Sequence, residues 1–297
     1  MQVIYRLLYQ PTINFILRNL LRSTSILFKV VQLPPSGILK IRLRDGHSIK
    51  LRTNQTNYVT KLLFWDGYRN FEYLDIFEKL IRKISVFYDV GANIGLYSIV
   101  AGTVNKRIQV RSFEPSNGPF HYLQRNASIN QLANTKIEQI ALADTNGSLN
   151  FYQVANSKYT YLKHNLAGEG NFNAKESNKQ FETTSVKSCT LDTYAQGESH
   201  TIELIKLDTE GTEHLILNGA VRVLDEMRPI VICETLFSMI EEELEDLFRS
   251  RNYKFFNHKG KYLEETKTIT RTVDNGIRNC FFVPEEKVGL IAEFVTD

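Results

Sequence analysis

Val86-Phe87-Tyr88-Asp89-Val90-Gly91-Ala92-Asn93-Ile94-Gly95 is the stretch on which the fold turns. Five residues, apolar or aromatic except for one aspartate, read as a buried strand. The glycines after it permit a tight turn that opens a helix through Tyr97–Thr103. Asp89 stands at the carboxyl end of the strand, where ligands bind in open α/β sheets. The spacing Gly91-x-x-x-Gly95 is not the Gly-x-Gly-x-x-Gly of dinucleotide binders, and an acid ahead of the first glycine would repel a pyrophosphate. A positively charged ligand without phosphates suits this turn better.

Working outward, Ile108–Phe113, Lys136–Ile140, Glu203–Leu207 and Ile230–Cys233 read as further strands, with helices from about Gly118 to Asn130 and from Glu213 to Leu224. Strands alternating with helices imply crossover units and a mainly parallel sheet. Tyr253–Phe256 and Asn279–Val283 look like a closing antiparallel pair. Upstream, Phe71, Leu74, Phe77, Leu80, Ile81 and Ile84 recur at helical spacing, and the alternation of Leu39 to Arg52 about Asp45-Gly46 is a hairpin signal. Between Tyr152 and Thr184 the pattern dissolves into Asn, Lys, Ser, Gly and Tyr, and this segment is expected to form a lid over the binding site, with a mobile linker as the alternative. Tyr159, Tyr161, Lys163 and His164 would supply rings with polar handles there. The expected organisation is a basic helical segment with a hairpin over 1–70, then one α/β domain over 71–297 that carries the lid over 152–184.

Composition narrows the class. With 42% hydrophobic and 23% charged residues in 297, the chain is neither disordered, collagen-like nor a coiled coil. Its cysteines, Cys189, Cys233 and Cys280, are too few and scattered for a disulfide framework or a zinc finger, and they fit a reducing, cytoplasmic compartment. Residues 1–44 hold seven of the 36 basic side chains and no acid, so the remainder carries 29 basic against 33 acidic residues, a net of −4. That balance argues against a nucleic-acid partner. The longest uncharged run before residue 18, Leu7 to Leu17, is 11 residues, well short of a membrane span. No signal-peptide pattern is evident. The leading segment, broken at Pro11, is expected to pack on the domain; the alternative is peripheral contact of residues 1–32 with the inner face of a membrane through Arg18, Arg22 and Lys29.

Glu114, ahead of Pro115, ends the second strand, and a carboxylate there can take both hydroxyls of a ribose. Glu114 and the glycine turn together resemble the class I S-adenosylmethionine-dependent methyltransferases. More narrowly, the chain resembles the FkbM family of O-methyltransferases. The narrower resemblance rests on Asp89 to Gly95, on Phe113-Glu114-Pro115, on Ala141-Leu142-Ala143-Asp144 with Gly147, and on Thr190-Leu191-Asp192. It rests also on Ile205 to Glu213, on Leu217 and Gly219, and on Arg228-Pro229 through Glu234, and it covers roughly residues 70 to 285. It implies a Rossmann-like, mainly parallel seven-stranded sheet with helices on both faces, preceded by the N-terminal helical segment and small hairpin. S-adenosyl-L-methionine is the implied cofactor. Asp89, Gly91, Ala92, Asn93 and Gly95 would line its methionine part, Glu114 its ribose, Ala141 and Leu142 its adenine, with Asp208 near the sulfonium methyl. The implied acceptor is a hydroxyl on a saccharide, a glycolipid or lipid-linked glycan, or another natural product.

Several residues carry two readings. Alternation along Lys206-Leu207-Asp208 puts the lysine and the aspartate on one side of the strand. Asp208 or Glu210 is expected to take the acceptor's proton, with Asp208 preferred; helix capping is the alternative for Glu210 and Glu213. His214 reads as a surface helix residue and Asp192 as a cap. Asp208, Glu210 and Glu234 offer oxygens for a divalent ion, but no spacing demands one, so metal independence is expected. The rival classes are a catalytically silent cofactor-binding or interaction module, and a nicotinamide-dependent oxidoreductase, whose phosphate turn is missing.

Overall fold

Proline is at no disadvantage in the first turn of a helix, and Pro11 divides the leading segment into α1 (Gln2–Leu8) and α2 (Pro11–Ser23). The computed structural model describes residues 1–23, 31–154, 158–167 and 181–296, so Lys29 and much of the expected lid lie outside the described residues. The hairpin forms as read, β1 (Gly37–Arg42) against β2 (Ser48–Thr53), with Leu39 opposite Leu51 and Ile41 opposite Ile49. Asn57 then caps α3 (Tyr58–Trp65) by accepting from Thr60 N–H at 2.9 Å, and the apolar-periodic run begins as α4 (Leu74–Leu80).

The deciding stretch is β3 (Val86–Val90) followed by α5 (Leu96–Val104). Two crossovers follow, through β4 (Gln109–Phe113), α6 (Asn117–Ile129) and β5 (Thr135–Glu138). Three strands then leave for a separate sheet: β6 (Ala141–Leu142), β7 (Gly147–Val154) and β8 (Phe181–Cys189), in the order β6-β8-β7. β7 and β8 pair rung by rung from Gly147↔Ser188 to Val154↔Phe181. The segment expected to be irregular over 152–184 therefore begins and ends in an antiparallel ladder. Its alternation was hidden by the polar residues Ser, Asn and Thr along both strands.

After α7 (Leu191–Gln196) the chain returns to the main sheet as β9 (Leu204–Leu207), then α8 (Glu213–Asn218), β10 (Ile230–Glu234) and α9 (Glu241–Arg249). The helix expected to run from Glu213 to Leu224 stops at Gly219, whose backbone presses on the Ala143 carbonyl: a Cβ there would lie 2.3 Å from that oxygen. A single π turn, Val223–Met227, resumes beyond it, and Asp192 caps that turn by accepting from Arg222 N–H and Val223 N–H at 2.9 Å each. Asp192 is thus a cap across space, while Thr190 caps the helix that Asp192 itself lies in.

The sheet closes with β11 (Tyr253–Lys259), β12 (Tyr262–Thr266) and β13 (Asn279–Pro284), giving the order β12-β11-β13-β10-β9-β3-β4-β5. It has eight strands instead of seven. β10, β9, β3, β4 and β5 are mutually parallel, and β13, β11 and β12 add antiparallel at one end. The extra strand is an edge of mostly polar residues in which only Leu263 is buried, so its sequence carries little strand signal. Alternation along the central strands builds two cores. Phe87, Leu204, Ile232 and Phe281 pack with α4, α5 and the hairpin residues Leu39, Ile41, Ile49 and Leu51. Tyr88, Ile205, Val231 and Phe282 pack with α7, α8 and α9 on the other face.

Candidate active site

Four strand ends converge on one cavity of about 640 Å³, within the range of small-molecule sites. Gly91 and Asn93 follow β3, Glu114 follows β4, Ala141 and Leu142 lie beyond β5, and Asp208 and Glu210 follow β9; all of these line it. Thr56 to Val59 of the α3 start, Leu149 to Phe151 of β7 and Asn165 to Ala167 close its remaining sides. Phe113, Ile140, Leu142 and Ile216 make one wall apolar, suited to a flat aromatic base.

The glycine turn uses up its own donors. Gly91 N–H and Ala92 N–H both donate to the Phe113 carbonyl at 3.1 and 3.0 Å, and Gly95 N–H to the Ala92 carbonyl at 2.8 Å. Asn93 N–H donates to Glu114 Oε2 at 2.9 Å, and Ile94 N–H to the Asn93 side-chain oxygen at 2.8 Å. Every amide from 91 to 95 is therefore paired within the protein, leaving none for a phosphate. Gly91 (φ 71°) also packs so closely on the next loop that a Cβ would sit 1.9 Å from the Asp208 carbonyl oxygen.

Glu114 is buried, its other oxygen accepting from Ser116 N–H at 2.8 Å; burial raises its pKa against those two backbone bonds. A carboxylate has about four acceptor sites, more than these two amides use, so Glu114 can also accept from a ligand hydroxyl.

Lys206 ties the floor together. Its ammonium, buried on the α5 side of the sheet, sits 3.1 Å from Asp208 Oδ2, 3.6 Å from Asp89 Oδ1 and 3.2 Å from the Gly91 carbonyl oxygen, to which it donates. Register explains the meeting, since Asp89 and Lys206 are direct partners across β3 and β9. Asp89 itself does not reach the cavity. It is fully buried beneath it, accepting from Ser98 N–H at 3.0 Å and Ser98 Oγ at 2.6 Å, and burial raises its pKa against the opposing pull of Lys206. Ala92 and Gly95 likewise stand behind the wall, shaping the turn without lining the cavity.

Acids gather about Asp208, whose side chain is 39% exposed. Glu210 is exposed in a left-handed conformation (φ 59°). Glu213 is buried and braces the intervening loop, accepting from Thr209 N–H at 2.6 Å and Gly211 N–H at 3.0 Å, which is the capping role weighed for it. Glu234, mostly buried, has its pKa pushed up to about 9, first by burial and then by the charge of Asp208. His214 is half-buried on α8 and does not line the cavity.

Glu72 was invisible in the sequence. It precedes α4 in a strained left-handed conformation (φ 42°) and accepts from Tyr97 Oη at 2.5 Å. Glu72 is exposed as a residue, but its carboxyl is crowded by Tyr97 and the site's other acids, and loss of water around it first and the charge of Asp208 second push its pKa up to about 7. The contribution of α3 had a readable signal, the polar run Asn54-Gln55-Thr56-Asn57 ahead of an apolar helix: Asn57 Nδ2 donates to the Asn93 side-chain oxygen at 3.1 Å.

Of the residues assigned to the lid, Tyr159 is buried edge-on against Tyr5 and Tyr9, so it holds α1 and offers no free ring to an acceptor. Tyr161 Oη accepts from Gln55 at 2.7 Å, His164 stacks on His121 with ring centroids 4.6 Å apart, and Lys163 is exposed. Among the described residues, no group of three or more His, Cys, Asp or Glu is arranged to hold a metal ion. No helix among them is long and apolar enough to cross a membrane.

A family model described as the methyltransferase FkbM domain matches residues 89–255. The 31-O-demethyl-FK506 methyltransferase FkbM of Streptomyces tacrolimicus is 28% identical over 160 residues, 47% of this chain and 60% of its own length. The chain thus spans less than two thirds of that curated relative. The structure of methyltransferase FkbM from Methylobacillus flagellatus KT aligns with a TM-score of 0.43 at 16% identity, over 67% of this chain and 43% of its own. That of M. jannaschii TYW2 in complex with AdoMet aligns with a TM-score of 0.40 at 13% identity, over 84% and 85%.

Proposed function

The chain belongs to the FkbM methyltransferase family, whose domain spans residues 89–255, and on that premise we propose that it moves a methyl group from S-adenosyl-L-methionine to a hydroxyl of a saccharide, glycolipid or other natural product. The observation that carries the cofactor assignment is the pairing of every amide from 91 to 95 within the turn. A nicotinamide dinucleotide needs those donors for its pyrophosphate. What the cavity presents instead is acceptors, the carboxylates of Glu114 and Asp208, beside an apolar wall. That set fits a ligand with a ribose, an adenine and a positive charge, and no phosphate.

When bound, S-adenosyl-L-methionine supplies a methyl group on a positively charged sulfur. The protein's part is to hold, align and receive a proton. Glu114 would hold the ribose hydroxyls, and Ala141 and Leu142 the edge of the base. Asp208 and Glu210 make this end of the cavity negative, which favours a cation there, while Glu234, with its pKa pushed up to about 9, is protonated at neutral pH and adds no charge. Asp208 would take the proton of the acceptor hydroxyl, directly or through water, as that oxygen bonds to carbon. Alignment carries most of the acceleration, since well-oriented partners gain up to about 7–11 kcal/mol. Oxygen as the acceptor atom draws support from the curated relative, named for methylation at an oxygen.

The test is calorimetric titration of the protein with S-adenosyl-L-methionine, S-adenosylhomocysteine and NAD. One-site binding of the first two, weakened at least about ten-fold in Glu114→Ala by loss of charge-assisted hydrogen bonds, is expected, with no binding of NAD. NAD binding would refute the cofactor assignment. With an acceptor in hand, Asp208→Ala should keep most cofactor affinity and lose turnover; normal turnover would remove Asp208 from the chemistry.

A further inference from the structure

α2 is built inside out. The residues it buries are polar, Asn14 and Arg18 at 0% and 2% exposure. Asn14 accepts from Ser36 N–H at 2.8 Å and donates to the Pro34 carbonyl, while Arg18 donates to the Ile38 carbonyl at 3.3 Å with its guanidinium 5.1 Å from the Phe64 ring centre. Arg18, one of the cations assigned by sequence to a membrane, is thus spent inside the protein. Leu8, Leu17 and Leu21 are half-buried beside them, and α1 buries no residue at all. Outward, Ile4, Leu7, Phe15, Ile16 and Leu20 are between 56% and 65% exposed. Of fourteen large apolar side chains exposed among the described residues, eight lie in residues 1–20. A helix whose only partner is the domain beneath it does the reverse, turning its apolar stripe inward.

Charge decides what covers this face. No acid occurs in residues 1–44. Ile38, Lys40 and Arg42 alternate outward and exposed along β1, the strand that Arg18 fastens to α2. A second copy meeting the face about a two-fold axis would bring these cations together with no acid from the same segment to oppose them. An anionic lipid surface offers both what the helices lack, an apolar layer, and what the strand lacks, a counter-charge. We propose that α1 and α2 lie in the interface of an anionic membrane, with the outer face of β1 against the lipid headgroups. The inference stands apart from the methyl-transfer reading, and its test uses no cofactor.

The experiment is flotation of the full chain with vesicles of phosphatidylcholine alone and of phosphatidylcholine with one third phosphatidylglycerol. Binding to the anionic vesicles is expected to be at least about ten-fold stronger, since each cation near such a surface adds roughly a factor of five, and to weaken in high salt. Ile16→Glu with Leu20→Glu should abolish it without changing the melting temperature, because both side chains already face water. Lys40→Glu with Arg42→Glu should reduce it to the phosphatidylcholine level. Should the first pair fail to fold, Ile4→Glu on α1 makes the same test. No binding to either vesicle, equal binding to both, or a dimer in sedimentation that Ile16→Glu with Leu20→Glu disperses would each overturn the proposal.

Discussion

Replacing Lys206 by Met keeps an unbranched side chain one atom shorter and removes its charge. The ammonium lies 3.6 Å from Asp89 Oδ1, with Lys206 3% and Asp89 0% exposed at the side chain. At an effective dielectric of roughly 20 that separation corresponds to about 4–5 kcal/mol of attraction, and removing one partner of a buried pair typically costs about 3–5 kcal/mol. Asp208, 39% exposed, can turn to water and adds little. Lys206→Met is therefore expected to lose about 3–5 kcal/mol in urea denaturation at pH 8. The pH dependence follows from Asp89. Burial raises its folded pKa against the pull of Lys206, so without the lysine it rises further. A carboxyl with a raised folded pKa is tolerated below its unfolded pKa and penalised as pH climbs through the folded one, so the deficit should shrink as pH falls. Adding Asp89→Asn should recover at least half of it, since Ser98 can still donate to the amide oxygen. A loss below about 1 kcal/mol, a deficit that does not change with pH, or a double variant no better than the single one would refute this account of the floor.

Gly91→Ala should destabilise the fold by more than about 3 kcal/mol in thermal unfolding, because its Cβ would strike the Asp208 carbonyl; Gly46→Ala, with a positive φ of 89° but open space around it, should cost far less. Glu234, with its folded pKa pushed up to about 9, holds a proton that the unfolded chain releases at acidic pH. Its stabilising share is present at low pH and lost as pH rises through about 9, so Glu234→Gln should flatten the decline of melting temperature across that window; an unchanged slope would count against it.

What could be read from the sequence was what neighbouring residues encode. Strand, turn and helix over 86–104 are contiguous, and Glu114 ends its own strand next to a proline, so the cavity wall was legible in part. Depth was not. Asp89 and Glu114 both stand at strand ends, yet Asp89 points to the α5 side under the floor, and Glu114 lies beside the turn it ties down. Alternation told which side Lys206 and Asp208 share, but not that Asp89 would be the third member, because that depends on the register of β3 against β9. Glu72 owes its place to Tyr97, 25 residues away, and to a backbone angle that no local pattern announces. Arg18 misled for the opposite reason. A basic residue in an apolar stretch suggests a surface charge, and here the carbonyl of Ile38 and the ring of Phe64 give it a home indoors.

The closed donor accounts of the glycine turn carry a thermodynamic corollary. A cradle whose amides are all satisfied is already organised before anything enters it, so association need order little of the chain. The heat capacity change on binding should then reflect only the apolar surface of the ligand and of one cavity wall, far below the signature of a coupled folding step. Binding enthalpies measured at several temperatures should accordingly fall on a shallow line.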